Sequence, residues 1–174
     1  HRPTYNSGAI VSESQTRFGR SSLQLNGTSN YLSILDSNSW RLGTGTGNFT
    51  IETFARFASI PGNAILTSQF QDASNYWRWL VTPTTINFYH TDSSDSTREF
   101  IITQAWSPSI DTWYNIALVR SGNNWVHYID GTSLGTIATT GINTIVDLSA
   151  NLNIGMQNIS TFPKGVYFVK LTDG

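Results

Sequence analysis

The sequence has no cysteine in 174 residues. That excludes a small disulfide-stapled scaffold and any Cys/His zinc spacing, while leaving secretion open. Charge is scarce as well: charged residues make up 12% and the formal net charge is -1. With no basic field to draw phosphates, nucleic acid is excluded as a partner. No apolar run approaches the roughly 20 residues that span a bilayer, so membrane insertion is not expected. Capped apolar segments of period 3.6 are missing, and no repeat of fixed period recurs, which argues against helical bundles, propellers and solenoids.

What the chain does have is short strand-like runs between clusters of Ser, Thr, Asn and Gly, residue types that suit strands and turns. The clearest stretch is 112–131, TWYNIALVRSGNNWVHYIDG. Its apolar run 116–119 meets the polar turn Ser121-Gly122-Asn123-Asn124, 125–129 alternates, and Asp130-Gly131 turns the chain again. This predicts a hairpin in which Trp113, Ile116 and Leu118 are buried. Residues 49–57, FTIETFARF, alternate cleanly. Phe49, Ile51, Thr53, Ala55 and Phe57 share one face, and Thr50, Glu52, Phe54 and Arg56 the other.

Further strands are expected at 22–25, 31–35, 64–67, 76–81, 86–90, 99–104, 151–155 and 166–171. Residues 1–8 read as an entry segment, 71–75 as a polar loop and 138–143 as a Thr-rich connection. Many short strands at short intervals indicate an antiparallel sandwich or barrel. Residues 1–174 are expected to form a single domain, large enough for a core without staples. Opening at His1 rather than Met, the chain is expected to be one module of a longer protein.

Four pieces in order resemble the laminin-G-like branch of the concanavalin A-like lectin/glucanase superfamily. They are FGRSSLQLNGTSNYLSI at 18–34, GTGNFTIETFARF at 45–57, the hairpin at 112–131, and LNIG at 152–155 ahead of KGVYFVKL. The resemblance implies an all-β fold, a jelly-roll sandwich of two curved antiparallel sheets. It also implies glycan or protein binding of the kind found in adhesins, secreted enzymes and phage tail or capsid appendages. The setting expected from it is extracellular, cell-surface or virion, and the hairpin looks most like those of bacterial and phage structural proteins. The chain departs from the pattern at Thr53, where a large aromatic is usual, and at His127, an inward position usually aliphatic. Phe54 and Trp125 are expected to supply the volume nearby.

Catalysis can be tested on the residues. Retaining glycoside hydrolysis needs two carboxyl groups about 5–5.5 Å apart, which on a strand means acids at i and i+2 or i+4. Glu13, Glu52 and Glu99 have no acidic neighbour on their own strand faces, and Glu52 is followed at that spacing by Phe54 and Arg56. No Ser-His-Asp set or phosphate loop is present either. An enzyme is therefore not expected.

Glu52 and Arg120 read either as a cross-strand ion pair or as polar ligand contacts on a sheet face. Aromatic residues reach 13%, six of them Trp, and sugar recognition uses aromatic faces together with amide or carboxylate groups. In Tyr76-Trp77-Arg78-Trp79, alternation sends the Trp pair to the core and Tyr76 and Arg78 to the other face, where Asn87 and Tyr89 of the next strand join them. The candidate ligand contacts are thus Tyr76, Arg78, Asn87, Tyr89, Glu52 and Arg120. Calcium, a cofactor the resemblance implies, would take Asp side chains and carbonyls at a loop edge. Its candidates are Asp36, Asp72, Asp92 and Asp95, with DSSDS at 92–96 reading equally as a solvated turn.

The function expected is a non-catalytic glycan-recognition and adhesion module of a larger extracellular or virion protein, with a surface glycan or neighbouring protein subunits as partner. The alternatives are a packing module with no sugar site and, last, a glycan-active enzyme.

Overall fold

The computed structural model describes residues 3–6, 8–42, 47–60, 62–95, 99–140 and 144–156, the side chains of residues 3, 5 and 6 excepted. In chain order the strands are β1 (Pro3–Asn6), β2 (Ile10–Ser12), β3 (Ser22–Gln24), β4 (Tyr31–Ile34) and β5 (Phe49–Arg56). Then come β6 (Ala64–Asp72), β7 (Asn75–Val81), β8 (Thr85–Asp92) and β9 (Phe100–Ala105). After these come β10 (Trp113–Ser121), β11 (Asn124–Ile129), β12 (Thr132–Ala138) and β13 (Leu152–Ile154). A 3₁₀ turn covers Asn38–Trp40. The strand expected at 166–171 lies outside the described residues.

Among the described residues these strands form a seven-stranded sheet, β1-β4-β13-β6-β7-β8-β9, and a four-stranded sheet, β12-β11-β10-β5. A short β2-β3 pair stands apart from both. The neighbours in these sheets run antiparallel. The two larger sheets pack face to face because each strand's alternation gives it one apolar side. Trp77, Trp79, Phe88 and Ile102 come from the larger sheet, and Ile116, Leu118 and Trp125 from the smaller. Rings meet across the gap, Phe88 to Trp125 at 5.5 Å and Trp79 to His127 at 6.3 Å. Each fully buried side chain of this kind contributes about 1.5–3 kcal/mol.

Turn chemistry sets the register of β10-β11-β12. Gly122-Asn123 joins Ser121 to Asn124, with Gly122 at φ 60. Asp130-Gly131 joins Ile129 to Thr132 with φ of 49 and 77, the two left-handed residues that a type I′ hairpin turn requires. Asp130 is locked in place: its N–H donates to Asn115 O at 2.8 Å, and its carboxylate accepts from Asn115 N at 2.8 Å.

Several expectations change. β12 is a strand that the sequence did not mark, because Thr132, Ser133, Gly135 and Thr136 leave little apolar alternation. β1 extends the entry segment into the large sheet. The runs at 22–25 and 31–35 do not pair with each other: β3 pairs with β2, and β4 lies between β1 and β13. The polar loop at 71–75 shrinks to a two-residue turn because Asp72 pairs with Asn75. Trp113 is half-buried rather than core, since its register opposite Arg56 puts it on the outer face of the sheet. Phe54 also points outward, edge-on to Phe18 at 5.0 Å, so it does not fill space beside Thr53; Trp125 does face the core.

Candidate ligand-binding site

The strongest sequence candidate is assembled by β7 and β8. Trp77, Trp79 and Val81 face the core, which turns Tyr76 and Arg78 to the outer side of the seven-stranded sheet. Tyr89 lies directly across from Arg78. The guanidinium sits against both tyrosines, with Cζ 4.6 Å from the Tyr89 ring centroid and 5.4 Å from that of Tyr76. Phe70 of β6 stacks on Tyr76 at 5.7 Å. Cation–π contacts of this kind hold a planar donor fork and two rings in one fixed arrangement. Asn87 shares the face but is sealed: its amide donates to Thr85 Oγ1 at 2.8 Å, its carbonyl accepts from Thr103 Oγ1 at 2.8 Å, and it is buried. Tyr76, Arg78 and Tyr89 are thus brought together, and Asn87 is not available beside them.

Glu52 and Arg120 are separated, which overturns the cross-strand pair. Glu52 lies opposite Ala117, whereas Arg120 lies opposite Phe49 and shares its inward face with Ile116 and Leu118. Arg120 is fully buried. Its Nε donates to Gly122 O at 3.0 Å, and Cζ lies 4.8 Å from the Trp125 ring centroid. Burial lowers its pKa from the ordinary guanidinium value. Glu52 is exposed on the other side and accepts from Asn115 Nδ2 at 2.7 Å. Its neighbours on β10 are Ala117, Asn115 and Val119, none of them a second carboxylate for a glycosidase pair.

Of the calcium candidates, Asp72 and Asp92 end β6 and β8, on either side of β7, and both accept from turn donors. Asp72 accepts from Ser74 N and, through both oxygens, from Asn75 Nδ2. The Asn75 side-chain bond, then the Ser74 N–H, lower its pKa. Asp92 Oδ1 accepts from Ser94 N and Oγ, and Asp95 N donates to Asp92 O. Asp36 lies beyond β4, two strands across from β6, where it caps Ser37 N. No three carboxylates or imidazoles converge among the described residues, so this donor set does not by itself fit the ion's demand for six to eight oxygens.

Set beside known proteins, the sandwich has a clear place. The family model described as the concanavalin A-like lectin/glucanases superfamily matches residues 26–168. The chain belongs to that superfamily. A comparison with curated proteins gives no match. Among solved structures, this concanavalin A-like chain is similar to the binding domain of Paraclostridial Mosquitocidal Protein 1, with a TM-score of 0.71 and 12% identity over 97% of this chain and 42% of that one. The binding domain of botulinum neurotoxin serotype G gives 0.70 and 14%, over 97% and 41%. Domain 4 of AbnA, an extracellular arabinanase of Geobacillus stearothermophilus solved in complex with arabinotriose, gives 0.67 and 13%, over 97% and 79%. At these identities the likeness is one of fold. The chain spans about two fifths of the length of the toxin binding domains it matches.

Two departures from the superfamily pattern are resolved by the geometry. Thr53 faces inward and helps line an apolar cleft of about 450 Å³ between the sheets, with Leu66, Trp77, Trp79, Leu152 and Ile154 around it. His127 is fully buried and stacks on Trp79. Gln104 of β9 holds it: Gln104 Nε2 donates to Gly135 O at 2.6 Å, so Oε1 faces β11 and accepts from His127 N at 2.9 Å and from Nδ1 at 2.7 Å. The imidazole is therefore the Nδ1–H tautomer, and Nε2 has no hydrogen-bond partner among the described residues. Burial lowers its pKa to about 3. Sequence reasoning saw His127 turn inward but missed Gln104, whose role depends on the approach of two different sheets.

Proposed function

We propose that this chain is a non-catalytic carbohydrate-recognition module of a larger extracellular or virion protein, and that it engages surface glycans through the Tyr76–Arg78–Tyr89 platform. The observation that carries this reading is the guanidinium fixed between two tyrosine rings on one sheet face. Rings offer apolar faces for sugar C–H groups, and the guanidinium beside them brings a positive charge toward hydroxyl or carboxylate oxygens. The fold likeness to an arabinanase domain solved with arabinotriose, and to toxin binding domains, supports a binding role. Among the described residues no helix is long and apolar enough to cross a membrane.

A glycan array at high valency, followed by titration of the best hit, tests the proposal. Tyr89→Ala should weaken binding about tenfold, or roughly 1.4 kcal/mol. One observation favours a second reading, docking to neighbouring subunits: Ile101, opposite Tyr89 on the same face, is 57% exposed. Silence on the array, together with burial of this face under more than about 1,000 Å² in an assembly, would select that reading.

A further inference from the structure

The opposite side of the sandwich carries a separate constellation. In register across three strands of the small sheet stand Tyr128 of β11, Ala117 of β10 and Glu52 of β5. Strands lie about 4.8 Å apart, so the Tyr128 and Glu52 backbones stand roughly twice that apart, with the small Ala117 between them. Ala117 forms the floor, 8% exposed; Tyr128 is half-buried and Glu52 exposed. The wall is preorganised: the Asp130 carboxylate holds Asn115 N at 2.8 Å, and Asn115 Nδ2 holds Glu52 Oε1 at 2.7 Å. The second Glu52 oxygen and Asn115 Oδ1 remain acceptors on the outer face that Tyr128 shares.

We propose that this outer face is a second carbohydrate subsite, centred on Ala117, which takes a neutral sugar by stacking its ring on Tyr128 and accepting a vicinal pair of hydroxyls at Glu52 and Asn115. The carboxylate repels acidic sugars. The cation two positions along the same face, Arg56, is committed to Asp111 at 2.7 Å. The subsite shares the ligand class of the first platform and none of its residues. The two lie on opposite outer faces, so one domain bridges two glycan chains, with the gain in avidity that simultaneous engagement brings.

The test is a titration of the ¹⁵N-labelled domain with methyl mannoside, methyl galactoside and arabinotriose, read as amide shifts. The expected result is that at least one probe moves amides of β10 and β11 around Ala117 and Tyr128. That response should survive Tyr89→Ala and weaken about tenfold in Glu52→Gln, which still accepts from Asn115 and so keeps the fold. Ala117→Tyr should abolish it by filling the floor. The subsite is overturned if none of the probes moves these amides at millimolar concentration, or if the response persists in both Glu52→Gln and Ala117→Tyr. Shifts confined to β7 and β8 and lost in Tyr89→Ala would remove this subsite while leaving the first platform standing.

Discussion

At His127 the core holds a neutral imidazole whose Nε2 lone pair meets no donor among the described residues. Its pKa falls from 6.5 to about 3 because burial penalises the charged form. Between those values the unfolded chain binds a proton that the folded chain refuses, so stability rises with pH across this window. The contribution is complete above about pH 7 and is lost as pH falls. Urea melts at pH 7 and pH 4 should differ by about 3 kcal/mol from this group, and His127→Leu should flatten that slope. A slope unchanged in the variant would show that other groups set it. Alternation made the inward turn of His127 legible. It also places Arg120 with Ile116 and Leu118, but the preference of charge for solvent hid that result. The guanidinium stays inside because a carbonyl and an indole face replace water around it.

Among the elements, the β10-β11-β12 meander depends most on its turns. Gly131 at φ 77 follows Asp130 at φ 49, and open space surrounds the glycine where a Cβ would stand. The cost of Gly131→Ala is therefore backbone strain alone, about 1–3 kcal/mol. Chemical denaturation should show a lower midpoint at unchanged m-value. β5, β7, β8, β10 and β11 were legible because apolar alternation marks a strand with one buried side. β12 and β1 were not: β12 is exposed and mostly polar, β1 has four residues with little periodicity, and such strands look like loops until a neighbour pairs with them. Pairing itself was hidden too: β4 is joined to β13 across more than a hundred residues of chain, a contact that local pattern does not encode.

For the whole molecule, the candidate sites divide by how far their parts lie apart in sequence. Tyr76, Arg78 and Tyr89 could be grouped in advance because β7 and β8 are consecutive. Glu52 found Asn115 and Ala117 only through the β5–β10 pairing. The aspartates were legible as loop residues, but the turn donors that Asp72 and Asp92 accept from appear only in three dimensions. With no three carboxylates converging among the described residues, melting temperatures in excess calcium and in chelator should coincide; a rise of several degrees with calcium would reveal ligands beyond these four aspartates. The Gln104 side chain joins the outermost strands of the two sheets, from β9 to the Gly135 carbonyl of β12. β12 has neither charge nor proline to ward off a foreign strand, the usual guards of an exposed edge. Gln104 ties this unguarded strand from inside to the opposite sheet, so one buried amide closes the seam between the two layers.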